Sequence, residues 1–251
     1  MEKELQTELE WKFFNGREVK LQDNLSIKPY TIGEIMDNIG VVNYFQIMSI
    51  LALSKKQLVE REDWKVIEEL NLFDVVVSDE SLIGMYSLLF EVAFRSPNNV
   101  YYQKDLKAFI IQNPNGTLGH IYRGTFDTII EILRFGYCVE ESKRDSERED
   151  IDDELASLLA EFEAEKEKID NAKGTNTNID YNSIMEGLVC KVSSLKITDI
   201  QNLTIYQMLR LYNRSTHNDV SNNVFRGVYS GCIDAKEIDL AQYGSCVVLP
   251  H

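Results

Sequence analysis

The chain has little of what a catalytic or secreted protein needs. Its four cysteines (Cys138, Cys190, Cys232, Cys246) are scattered, with no CxxC pair. That spacing argues against a disulfide framework or a thiolate zinc site and fits a reduced compartment. Its three histidines (His120, His217, His251) lie far apart, and none belongs to an HExxH or HxE arrangement. Neither GxxxxGK nor GxGxxG occurs, so there is no glycine loop to cradle a phosphate. No serine or cysteine sits in a nucleophile elbow with a base and an orienting group beside it. Basic residues are outnumbered 26 to 41 by acids, giving a net charge of −15. Such a surface repels phosphate backbones and disfavours nucleic-acid binding. The longest apolar run, "VVNYFQIMSILAL" (41–53), is too short to span a bilayer and contains Asn43 and Gln46. The opening "MEKELQTELE" is polar and acidic, unlike a signal peptide. We therefore expect no membrane segment, no cofactor and no metal.

What is present is an ordinary globular composition, 44% hydrophobic and 27% charged over 251 residues. The negative charge is concentrated. Residues 140–170 hold fourteen acids and five bases, and so carry nine of the fifteen net negative charges. "DIDDE" (150–154) within it lacks the central glycine and terminal glutamate of a calcium loop. These acids suit the first turn of a helix instead.

The expected fold is mainly α with small β elements (α+β): a helical bundle with an N-terminal β-hairpin and a short mid-chain antiparallel sheet. "WKFF" (11–14) and "REVKL" (17–21) flank Asn15-Gly16, a two-residue turn signal. "LSIKPY" (25–30) reads as a third short strand. Thr31 and Glu34 form a capping-box pattern ahead of Ile32, Ile35, Met36 and Ile39, and Gly40 interrupts before Tyr44, Ile47, Met48 and Leu51. "SKKQLVEREDWKVIEELN" (54–71) reads as one or two short helices. "FDVVV" (73–77) reads as a strand or a turn between helices. Ser78 or Asp79 caps a buried helix over 78–94. "VYYQ", "AFIIQ" and "LGHIYRG" read as three strands, the last two joined by a turn at "NPNG" (113–116). Thr125 caps a helix with Ile129, Ile130, Leu133 and Tyr137 on one face.

Residues 139–149 read as a linker. From Asp150 an amphipathic helix follows, with Leu155, Leu158, Leu159, Phe162 and Ile169 on a thin stripe amid acids. This stripe is the candidate partner-binding surface, set against the plainer reading of a solvated helix. The last part reads as helices marked by Ile184, Leu188 and Val192, by Ile205, Met208, Leu209 and Tyr212 after a cap at Asn202 or Thr204, and by Val220, Val224 and Val228, with His217 in a turn. Cys190 and Cys232 are expected to be buried. The expected units are 1–138, an acidic linker and exposed helix at 139–177, and a helical unit at 178–251. The mid-chain strands around His120, Tyr122 and Arg123 would be the home of any unrecognised enzyme site.

Two stretches resemble a known group. "LSIKPYTIGEIMDNIGVVNYFQIMSILAL" (25–53) has a strand, a proline and a T-x-x-E-I helix start. "LVCKVSS" (188–194), "LTIYQMLRLYNR" (203–214) and "GVYSGCIDAKEID" (227–239) follow, with a charged segment dividing the chain. This pattern resembles tail assembly chaperone-like proteins of tailed phages and prophages of Gram-positive bacteria. The resemblance implies a non-enzymatic tail morphogenesis protein that binds the tape-measure protein or tail subunits in the host cytoplasm. The alternative is a structural virion component, such as a neck, tail or baseplate protein, using the same helices as subunit interfaces. Self-association is compatible with both, and neither needs nucleic acid or a membrane.

Overall fold

A computed structural model describes residues 3–22, 24–58, 70–113, 115–141, 181–192, 194–234, 236 and 238–244. Elements are numbered among these residues. The expected fold class holds: helices dominate, with a two-stranded antiparallel hairpin near the N-terminus and a three-stranded antiparallel sheet in mid-chain.

The hairpin is not where Asn15-Gly16 pointed. Lys3–Phe14 is a helix, α1. Asn15-Gly16 ends it: Gly16 has φ 60°, its N–H donates to Phe13 O (3.0 Å), and Arg17 N–H donates to Lys12 O (2.8 Å). This is the left-handed glycine stop of a helix. The same dipeptide serves a hairpin turn or a helix C-terminus, because both require positive φ. Leu9 and Phe13, four residues apart and both buried, decide for the helix. The real hairpin pairs β1 (Val19–Gln22) with β2 (Leu25–Ile27), and Asn24 supplies the positive φ (64°).

Thr31 caps α2 (Ile32–Asn38) as its sequence predicts. Thr31 Oγ1 accepts from Glu34 N–H (3.2 Å), and Glu34 Oε2 accepts from Thr31 N–H (2.8 Å). Gly40 (φ 82°) turns the chain into α3 (Val41–Met48), which tightens into a 3₁₀ turn at Ser49–Ala52. The apolar run at 41–53 is thus a core element: Tyr44, Met48, Ile50 and Leu51 are all buried. Among the described residues no single helix is long and apolar enough to cross a membrane. The one pair that passes by composition, Ile32–Asn38 with Val41–Ala52, is bent by 106°.

"FDVVV" belongs to α4 (Leu72–Ser78), which corrects the expected strand or turn. Asn71 Oδ1 caps it by accepting from Phe73 N–H (2.9 Å), and burial of Phe73, Val75 and Val76 outweighs their β preference. Asp79 Oδ1 caps α5 (Glu80–Ala93), accepting from Ser81 N–H at 2.6 Å.

The three expected mid-chain strands all form. β3 (Val100–Gln103), β4 (Ala108–Gln112) and β5 (Leu118–Tyr122) make an antiparallel meander. α6 (Arg123–Tyr137) begins earlier than expected. Thr125 is not its cap, although its hydroxyl reaches back to accept from Tyr122 N–H (3.3 Å). Ile129, Ile130, Leu133 and Tyr137 are buried on its expected face.

An aromatic knot lies between the sheet and the helices. Phe90 meets Phe109 at 5.3 Å and Phe126 at 5.8 Å, and Phe73 meets Phe126 at 5.4 Å. Such edge-on and tilted pairs each add about 0.5–1.5 kcal/mol beyond area burial.

The C-terminal helices are α7 (Tyr181–Lys191), α8 (Ile197–Gln201) and α9 (Ile205–Tyr229). The expected break at His217 does not occur, and α9 runs through it as one helix. "STHND" contains neither glycine nor proline, and Ser221 Oγ donates back to His217 O (2.7 Å). Gly231 (φ 72°) follows the end of the helix and supplies its left-handed stop. A 3₁₀ turn at Leu240–Tyr243 packs back on α9. Cys190 and Cys232 are exposed, which corrects their expected burial, and Cys138 is half-buried.

The core is continuous from the N-terminal elements into the C-terminal helices. Ile184, Leu188, Ile200, Ile205, Tyr206 and Met208 join one buried cluster with Phe13, Ile32, Ile35 and Tyr44. Thr204 caps α9 with a second capping box. Its Oγ1 accepts from Gln207 N–H (3.2 Å), and Gln207 Oε1 accepts from Thr204 N–H (2.8 Å). The two boxes lie side by side, joined by a bridge between Thr31 and Thr204 and by Ile32 N–H donating to Leu203 O (2.8 Å).

Candidate interaction surface

The stripe formed by Leu155, Leu158, Leu159, Phe162 and Ile169 lies outside the described residues. The described residues offer a different surface. α1 carries apolar residues on two faces. Leu9 and Phe13 point into the core. Thr7, Glu10, Trp11 and Phe14, spaced three, four and seven residues apart, form one outward stripe. Across from it, α9 presents Tyr206, Arg210, Leu211 and Arg214. Between the stripes runs an open groove of about 370 Å³.

The groove is apolar at its floor and basic at its rim. Trp11 is 60% exposed and Phe14 49%. Tyr206 is buried beneath them, and burial raises its phenol to about 12, so it stays neutral. The Arg17 guanidinium sits 5.7 Å over the Trp11 ring. Arg210 and Arg214 line the other wall, and Glu10 is the one acid among the described lining residues.

The groove walls are firmly set. Phe13 packs against Tyr206 (5.8 Å) and Phe135 (6.0 Å), and Phe135 against Tyr206 (5.8 Å). Gln207, already part of the α9 capping box, donates through Nε2 to Phe14 O (2.8 Å). One side chain thus starts α9 and ties the end of α1 to it.

A smaller notch opens beside α2 and α3, about 60 Å³, lined by Met36, Val41, Phe45 and Met185 among others. Met36 and Val41 are exposed there. A third, polar hollow of about 250 Å³ holds Lys55, Asp127, Glu131, Arg134 and Glu141. Burial raises the Asp127 carboxyl, and Lys55 opposes that shift. Arg134 donates to Leu51 O (2.7 Å) and Glu141 (2.6 Å), so it pins the 3₁₀ turn to the end of α6.

The mid-chain trio does not converge on a reactive centre. The His120 and Tyr122 rings lie parallel with centroids 5.8 Å apart. Arg123 is held by both oxygens of Asp74, at 2.9 and 2.7 Å. Among the described residues no group of three or more His, Cys, Asp or Glu side chains is placed to hold a metal ion.

Residues 164–247 match the family model of the YomV second domain. That family is phage-associated, typified by YomV of Bacillus phage SPBc2, and the match supports a phage protein. It covers one third of the chain, including all of α7, α8 and α9. No curated protein and no solved structure matches. The match and the groove overlap: Tyr206, Arg210, Leu211 and Arg214 lie inside the matched region, while Trp11 and Phe14 lie outside it.

Sequence reasoning missed the groove because it read residues 11–14 as a strand. Read as helix, the same residues place Trp11 and Phe14 on one face opposite Leu9 and Phe13. That doubled apolar pattern was the available signal.

Proposed function

We propose that this chain is a non-enzymatic phage tail-morphogenesis protein, a tail assembly chaperone that binds the tape-measure protein or tail subunits in the host cytoplasm. The observation that carries it is the groove between α1 and α9. A tryptophan and a phenylalanine left half-exposed over a rigid aromatic floor, beside arginines, have the composition of a protein-binding hot spot. The phage-associated match supports the setting, and the resemblance of residues 25–53 and 188–239 to tail assembly chaperone-like proteins supports the role.

The physical action is mass action. A chaperone that covers apolar helix faces of an unassembled partner lowers the fraction free to aggregate. It needs preformed apolar grooves and no reactive centre.

Co-expression with the tape-measure protein of the same phage tests this. A soluble complex should copurify, and the tape-measure protein alone should be less soluble. Equal solubility with and without this chain, and no complex, would sink the reading. Stoichiometric presence of the chain in purified virions would replace it with a structural role.

A further inference from the structure

The two edges of the mid-chain sheet are treated differently. The β5 edge is closed. Gln22 Nε2 donates to His120 O and Asn24 Nδ2 to Leu118 O (3.4 Å), so side chains of the N-terminal hairpin occupy its outward carbonyls. Asn113 Nδ2 ties the same hairpin back by donating to Asn24 O (2.6 Å). The β3 edge has no such cover among the described residues.

The register shows which groups β3 leaves open. Gln112 N–H donates to Asn99 O (2.9 Å), and the pairs Tyr101–Ile110 and Gln103–Ala108 follow in step, so Asn99, Tyr101 and Gln103 direct their backbone at β4. Val100 and Tyr102 alternate with them and direct N–H and C=O outward. None of these outward groups has a hydrogen-bond partner among the described residues.

An unpaired edge is a template for another strand. Nothing guards it within Val100–Gln103: there is no charge and no proline, and the pairing with β4 runs without a register shift. The guards stand at its ends, Pro97 before it and Lys104 after it, the latter paired with Glu80 at 3.4 Å. Tyr101 is 50% exposed on the outer face, while Tyr102 packs inward on Phe73 and Phe109. The edge thus admits one short strand and offers it a ring to lie beside.

The open hydrogen bonds call for extended chain, and size separates a partner's segment from a second copy. A stable interface between folded proteins engages about 20–30 residues a side. β3 has 4 residues, so pairing of β3 with a second β3 would not hold a dimer. A flexible segment is held weakly and reversibly by a few main-chain bonds.

We propose that the β3 edge binds an extended, β-branched segment of a protein partner, added as a fourth strand antiparallel to β3. Its backbone pairs with Val100 and Tyr102, and a side chain on its outer face covers Tyr101. This goes beyond the groove-based reading above and does not depend on it. The groove takes helix faces, and the edge takes chain that has not formed a helix.

The test uses the full chain and a synthetic peptide of alternating threonine and valine, about six residues between terminal lysines. A control peptide of the same sequence carries N-methyl groups on its amides and cannot donate to a strand. Titration is followed by amide NMR with hydrogen exchange. The Val100 and Tyr102 amides should shift and gain protection, while Tyr101, already paired with β4, should change little. The N-methylated peptide should bind at least about tenfold more weakly, as the loss of two or more main-chain bonds predicts. Tyr101→Ala should weaken the first peptide severalfold. The Tyr101 side chain lies outside the core, so this variant should keep the parent's thermal unfolding.

Equal binding of the two peptides, or shifts along α1 and α9 instead of β3, overturns the proposal. So does protection of Val100 and Tyr102 in the free protein that grows with its concentration, which would assign the edge to a second copy. If the peptide fails to bind while the tape-measure protein still copurifies, the edge site falls and the chaperone reading stands. If the peptide binds and no tail protein copurifies, the reverse holds.

Discussion

The seam between α1, α6 and α9 can be tested through one pair of residues. Phe13 is fully buried, and the tip of its ring lies against Gly136 of α6: a β-carbon added at Gly136 would come within 2.3 Å of Phe13 Cζ and 2.4 Å of Cε1. Phe13 also packs on Phe135 and Tyr206. Phe13→Ala therefore removes a filled ring position at a three-helix junction and should cost about 3–5 kcal/mol. For a chain of this size each kcal/mol shifts the midpoint by about 2–4 °C, so a fall on the order of 10 °C is expected. Gly136→Ala in the parent forces a methyl into the ring, costing about 1–3 kcal/mol. Helix propensity returns up to about 1 kcal/mol, less so near the helix end. The net effect is a loss of roughly 0–3 kcal/mol. In the Phe13→Ala background the same methyl enters vacated space. It should then stabilise, by the propensity gain and about 0.8 kcal/mol of burial. The sign of one substitution thus reverses with its neighbour, with a coupling of about 2–4 kcal/mol, the strain in one background plus the burial in the other. Urea unfolding of the four proteins, followed by circular dichroism, measures it. Additivity within about 0.5 kcal/mol, or a Phe13→Ala cost below about 1 kcal/mol, would refute the packing.

Three further expectations follow from single groups. Thr204→Ala removes the Oγ1 that accepts from Gln207 N–H and should cost about 1 kcal/mol in urea unfolding; the change would loosen α9 at the groove, so no loss would mean that the cap does not set this helix. The Arg95 guanidinium donates to both oxygens of Glu34 at 2.9 and 2.8 Å, and holds its carboxyl near 2, against desolvation that alone would raise it. A depressed carboxylate contributes stability that is present above its unfolded pKa, near 4.5, and lost as pH falls toward 2. Glu34→Gln should flatten the acid limb of the stability–pH curve across that window, and an unchanged slope would exclude the linkage. Finally, the buried Tyr137 hydroxyl has no hydrogen-bond partner among the described residues, so Tyr137→Phe should be neutral or stabilise by about 1 kcal/mol, and a loss would reveal a partner.

Legibility followed the uniqueness of local signals. The capping box at Thr31 and Glu34, a helix start at Ser78 or Asp79, the three strands at 100–122 and the buried face of α6 were all readable from spacing and cap chemistry, with only the choice between the two adjacent cap residues left open. Asn15-Gly16 and "FDVVV" were not, because each signal serves two structures and tertiary burial chose between them. Leu9 with Phe13 turned the first into a helix stop. Phe73 with Val76 turned the second into a helical turn. His217 failed for the converse reason: polar residues suggested a break where no residue forbids a helix. The exposed thiols of Cys190 and Cys232 were misread from apolar neighbours, which do not say which helix face a residue occupies. The α1 wall of the groove was legible in the doubled apolar pattern once read as helix, but its pairing with α9, nearly two hundred positions away, was not.

That separation bears on what the matched region can do alone. The YomV-type match supplies one wall of the groove, with Tyr206, Arg210 and Arg214. The other wall, and both exposed aromatics, come from α1. The walls are joined by Gln207, which closes its own helix cap and donates to Phe14 O, and by the ring contacts of Phe13. The adjoining caps at Thr31 and Thr204 add a second tie between the same parts of the chain. Helix order and site geometry therefore depend on one another. A fragment containing only residues 164–247 would lack Trp11, Phe14 and Arg17, and would leave Tyr206 and Met208 without the apolar partners that bury them. If the groove is the binding surface, the N-terminal helix is part of the functional unit, even though the family match stops short of it.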